Sequence, residues 1–184
     1  MRRTPLAILA LAFVPTTASA APPTVSIVSG SAAVASFEQV SDDGCVTTFG
    51  EIAVVNARHG GELADGIYVT GMQEDTCLGT GNGFAGFAEG SFSVLGLSYA
   101  RYNGELVADS YSGGPSVALD LDLRWFGHGV IHQEKSWFHD ENVVELSYSA
   151  YRDATTSGTF TLDGDPVTVT SARIGRQASG TILH

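Results

Sequence analysis

Basic side chains are the scarcest feature of this chain. Its 184 residues carry 9 Lys and Arg against 20 Asp and Glu, and Lys135 is the single lysine. A formal charge of −11 repels phosphate. That argues against nucleic-acid binding, which relies on cations releasing condensed counterions, and against electrostatic docking on anionic lipid. Cysteine is nearly absent, with only Cys45 and Cys77. No apolar run approaches the roughly 20 residues a helix needs to cross a bilayer, which argues against membrane insertion. No segment of useful length shows an apolar stripe at helical spacing. Familiar catalytic signatures are missing too. There is no Gly-x-Ser-x-Gly elbow for a serine nucleophile, and no His-Glu-x-x-His, phosphate-binding loop or dinucleotide fingerprint.

The first twenty residues, "MRRTPLAILALAFVPTTASA", have the form of a secretory signal peptide. Two arginines precede a short apolar run, and Ala18-Ser19-Ala20 supplies small residues for cleavage. Their removal leaves 7 basic against 20 acidic side chains, a formal charge of −13, in a single domain over residues 21–184. The expected location is therefore secreted or extracellular, or the periplasm or cell envelope of a cell with two membranes. Two cysteines in an exported chain predict one disulfide, Cys45 to Cys77. Closing a loop of that size stabilises by roughly 4 kcal/mol on the chain-entropy model.

From Thr24 onward apolar residues recur with period two, separated by clusters of Gly, Asn and Asp, which is strand punctuation. In "SVALDLDLRWF" (116–126), Val117, Leu119, Leu121, Leu123 and Trp125 point one way, with Asp120, Asp122 and Arg124 opposite. Val144, Leu146, Tyr148 and Ala150 share a face in "VVELSYSAYR", and Leu95, Leu97 and Tyr99 in "FSVLGLSYARY". The glycine-rich stretch 78–91 reads either as a strand or as a long loop. About ten short strands without helices predict an antiparallel β-sandwich or β-barrel with one disulfide.

The stretch "WFGHGVIHQEKSWFHDEN" (125–142) holds both tryptophans and three of the five histidines. A "GHG" loop suits a hairpin in which Phe126 pairs with Val130, Trp125 with Ile131 and Leu119 with Trp137. Lys135 pointing inward marks 130–138 as an edge strand. Trp125 and Trp137 then face the core. Phe126 and Phe138 remain as exposed rings near one sheet end, suited to binding a glycan or a protein. His128 and His132 are four apart, a spacing that spans about 13 Å on a strand, too far to share a zinc ion. A metal-assisted hydrolase would gather the histidine and acid cluster at 128–141, with His132, Glu134, His139 and Asp140 at its centre. Carboxylates in "DDG" (42–44), "HDEN" (139–142) and "DGD" (163–165) offer ligands for a structural calcium ion. No other cofactor is implied.

The combination of a signal peptide, "LDLRWFGHG" and "YRDATTSGTFTLDG" resembles a group of uncharacterised secreted all-β proteins of bacteria, mostly actinobacterial, over about the last seventy residues. Where that group has a simpler Thr-Trp-Thr-Gly-like strand end, this chain has "WFGHG". The resemblance implies an exported all-β protein and carries no activity, ligand or catalytic residue with it. Three functions follow as expectations. The first is a non-catalytic binding module using Phe126, Phe138, His128, His132, His139 and Asp140 as ligand contacts; the others are a metal-assisted hydrolase and a structural protein of the cell envelope.

Overall fold

A computed structural model of the chain describes residues 24–59, 65–90, 92–140 and 143–183. The expected signal peptide lies outside the described residues, as do Glu141 and Asn142. The described chain is all strand and turn: β1 (Thr24–Val40), β2 (Val46–His59), β3 (Gly66–Asp75), β4 (Thr80–Glu89), β5 (Ser93–Leu95), β6 (Tyr99–Ser110), β7 (Val117–Gly127), β8 (His132–Asp140), β9 (Val143–Leu162), β10 (Asp165–Pro166) and β11 (Thr168–Leu183). Among the described residues no helix is long and apolar enough to cross a membrane.

Strand pairing is antiparallel and follows chain order until it closes on itself. It runs from β1 through β2, β3, β4, β6, β7, β9 and β11, and β11 returns to β1. The arrangement is barrel-like: eight strands form an up-and-down ring, joined between β4 and β6 by two residue pairs and between β9 and β11 only along residues 143–153 and 173–183. Short β5 flanks β6, while β8 and β10 attach to β9. Closure satisfies backbone groups that an open sheet would leave at its edges.

Alternation then sorts the side chains. In β7, Val117, Leu119, Leu121, Leu123 and Trp125 are buried, while Ala118, Asp120, Arg124 and Phe126 are exposed. Trp125 is 0% exposed, and its Nε1 donates to the Val34 carbonyl at 3.1 Å. Phe37, Phe84, Phe160, Ile52 and Ile174 fill the rest of the interior, with Phe37 edge-on to Phe160 at 5.1 Å. Each such burial contributes about 1.5–3 kcal/mol as an upper bound.

The glycine-rich stretch is a strand, β4, because its glycines make room for neighbours. A Cβ on Gly86 would stand 2.7 Å from the Val107 carbonyl oxygen and 2.8 Å from the Ala108 Cα. Without one, β4 approaches β6 and closes the barrel at a seam where only Phe84↔Ser110 and Ala85↔Asp109 pair. On β3, a Cβ at Gly71 would collide with the Phe84 ring. Cys45 and Cys77 form the expected disulfide, joining the start of β2 to the end of β3 across 32 residues.

Two expectations are corrected. Leu95, Leu97 and Tyr99 do not share one strand: Gly96, at φ 56°, turns the chain between β5 and β6. Leu97 is buried in that turn while Leu95 is exposed. Nor do β7 and β8 form a hairpin. β7 is already flanked by β6 on one side and by residues 154–162 of β9 on the other. β8 pairs instead with the first half of β9, from His132↔Tyr151 to Asp140↔Val143. The two strands therefore lie end to end along one edge of the 20-residue β9. "GHG" links them, with Gly129 in the expected left-handed position at φ 72°. β8 is an edge strand as its lysine suggested, since β9 is its sole partner among the described residues.

Candidate functional site

The barrel core stops at Ala33, Ala150 and Ile174, all at most 1% exposed. Beyond it the sheet continues as an apron made of β8, residues 143–149 of β9, residues 175–183 of β11 and the start of β1. All nine residues of β8 are exposed. A strand with no apolar face cannot bury either side, so the chain projects it past the core.

Register decides which side chains share each face. Trp137 stands opposite Leu146, which stands opposite Gly180; one step on, Lys135 stands opposite Tyr148 and Ala178. This row continues directly into the barrel interior through Ala150 and Ile174, so we call it the inner face. Gly180, which has no side chain, and Ala178 make its floor. Trp137, Lys135, Leu146 and Tyr148 rise beside them to bound a trough of about 570 Å³. Trp137 is 73% exposed and Leu146 55%. The Lys135 Nζ lies 5.9 Å from the Tyr148 ring centroid, and the Arg176 guanidinium 5.4 Å from it. Arg176 Nη2 also donates to the Tyr148 hydroxyl at 3.1 Å. Two cations thus share one aromatic ring, at a spacing suited to cation–π attraction.

Charge is sorted between the two faces. The inner face of β8, β9 and β11, from Gln133 to His139, Val144 to Arg152 and Ile174 to Ile182 in alternate positions, contains no Asp or Glu. It carries Lys135, Arg152, Arg176 and His139. Glu134, Asp140, Glu145 and Asp153 all project from the outer face. There Ser136 and Ser147 hydroxyls stand 2.6 Å apart, and the His132 ring stacks on Tyr151 at 4.8 Å.

The expected ligand contacts are dispersed by this geometry. Phe126 and Phe138 are both exposed, at 44% and 56%, yet they do not form one site. Phe126 pairs with Thr155 and Phe138 with Glu145, ten residues apart on β9, or about 33 Å. Phe126 packs edge-on against Tyr99 at 5.5 Å on the barrel wall. Trp137, expected in the core, is instead exposed at the side of the trough. His128 sits in the link between β7 and β8. His132 and His139 project from opposite faces of β8, about 23 Å apart for seven residues of strand, and Asp140 lies on the outer face. Among the described residues no three His, Cys, Asp or Glu side chains stand close enough to hold a metal ion. The missed residues are Trp137, Leu146, Tyr148 and Arg176. For Trp137 the sequence signal was the lack of any apolar alternation in "HQEKSWFHD" beside a strongly alternating neighbour.

A second groove of about 530 Å³ lies on the barrel, where Glu38, Glu51, Phe49, Met72 and Tyr111 border it. Two carboxylates at its rim give it the charge of the rest of the chain. Comparison of the chain with protein-family models, curated proteins and solved structures returns no match.

Proposed function

We propose that this is an exported, non-catalytic binding domain whose apron takes an anionic carbohydrate, a chain bearing uronic-acid units. One observation carries the reading: an acidic protein keeps a whole sheet face free of carboxylates and places there an exposed indole between Lys135 and Leu146. Sugar rings stack on aromatic faces through their C–H surfaces, and Trp137 and Tyr148 offer two such faces. Carboxylates on the same rings meet Lys135 and Arg176 as charge-assisted partners. An open trough, unlike a closed cavity, accommodates a polymer that continues beyond the contact. The disulfide supports export, because such bonds persist in oxidising compartments.

Isothermal titration calorimetry with oligogalacturonate and a neutral oligosaccharide of equal length tests this. The expected result is saturable binding of the acidic chain only, weakened at least tenfold by Trp137→Ala and by Lys135→Gln, and weakened by added salt as surface charge is screened. Equal binding of both oligosaccharides, or heat from neither, overturns it.

A further inference from the structure

We infer that two copies of this chain pair through β8 to form a symmetric dimer whose apron sheets are continuous. β8 is a nine-residue strand with a single neighbour among the described residues, and it pairs with β9 without a register shift. Its outer edge therefore presents a straight row of backbone donors and acceptors. Natural edges of this length are usually short, bulged or covered by a proline. Of the devices that guard an edge, β8 keeps charged side chains, with Lys135 on its inner face, and those side chains decide which register it can accept.

A two-fold axis perpendicular to a sheet maps each residue onto one of the same face, so only registers centred on a residue are allowed. Centring on Ser136 overlaps all nine residues, which is the longest overlap the strand permits. The same register is the one that charge selects. It sets Lys135 against Trp137 of the partner subunit, Glu134 against the partner's Phe138, Gln133 against the partner's His139, and His132 against the partner's Asp140. Shifting the centre to Lys135 puts two lysines face to face. Shifting it to Trp137 sets Glu134 against the partner's Asp140. Like charges directly opposite one another destabilise a strand pair, so length and charge agree on Ser136.

Such a contact is isologous and closes after two copies, leaving no edge for a third. It preserves the faces of the apron. The two troughs then lie side by side on one surface, and a polymer engaging both gains from the high effective concentration of the second site.

The test is the mass of the mature protein by sedimentation equilibrium, without any ligand, so that it reads independently of the carbohydrate reading. The wild type is expected at twice the monomer mass at micromolar concentration. Ser136→Asp and Ser136→Lys each place like charges on the axis, and each alone is expected to be monomeric while keeping the all-strand far-ultraviolet circular dichroism spectrum of the wild type. Mixed one to one, they are expected to recover the dimer. A monomeric wild type at 100-fold higher concentration, or variants that stay dimeric when unmixed, would overturn the inference.

Discussion

The two tryptophans of the chain lie in opposite environments, and the same substitution at each should have opposite consequences. Trp125 is 0% exposed and Trp137 is 73% exposed. Replacing Trp125 by Phe removes the Nε1 hydrogen bond to the Val34 carbonyl, worth about 1 kcal/mol net. The smaller ring also leaves a void in a site with no open side, which adds about 1–2 kcal/mol on the scale of buried large-to-small replacements. The expected loss is about 2–3 kcal/mol. For a domain of this size that lowers the melting temperature by about 5–10 °C. Trp137→Phe touches only the rim of the trough and should stay within about 0.5 kcal/mol, as surface substitutions do. Urea titrations followed by circular dichroism measure both, and equal m-values would show that only stability has moved. If Trp125→Phe also stays within 0.5 kcal/mol, or if the two variants lose the same amount, the sorting of β7 and β8 between core and apron is wrong.

Three further outcomes test the barrel. Replacing Cys45 and Cys77 by Ser should cost about 4 kcal/mol, since the bond closes a loop spanning 32 residues and the entropy term scales with its logarithm; urea midpoints would report it. Gly86→Ala drives a methyl into the backbone of Val107 and Ala108. It should cost about 1–3 kcal/mol as overpacking, with hydrogen exchange accelerating first in β4 and β6 at their two-pair seam. Burial raises the pKa of the Tyr102 hydroxyl above its ordinary value. The unfolded chain therefore loses that proton first. The stabilisation is intact below about pH 10 and is lost as pH rises through the folded value. Tyr102→Phe should flatten that alkaline decline in thermal stability, and an unchanged slope would remove Tyr102 as its cause.

The strands were legible wherever one face is buried. Val117 to Trp125 alternate in the sequence and again in the barrel, because burial of every second side chain leaves a period-two record. Val144, Leu146, Tyr148 and Ala150 share a face as expected, although only Ala150 reaches the core fully. Pairing was less legible, and β9 shows why. Its 20 residues serve two neighbours in succession, but the polar run "DATTSG" divides them into what reads as two strands. A short "GHG" link then suggests that β7 should fold back on β8. Nothing local states that the side of β7 is already taken by a segment some thirty residues later. The trough on the apron was hidden for the same reason. Trp137, Tyr148 and Arg176 come from three strands and meet only through register, and Phe126 and Phe138 resemble a pair only while β7 and β8 are imagined side by side.

We propose that the acid-free face of the apron is the surface this domain offers to an anionic sugar chain. Iodide quenching of tryptophan fluorescence reads that face directly, because Trp125 is sealed in the core and Trp137 is open to solvent. With oligogalacturonate added, the quenchable fraction is expected to fall to near zero in a saturable way, while a neutral oligosaccharide leaves it unchanged. A quenchable fraction that stays constant as the acidic chain is added to saturation would contradict it.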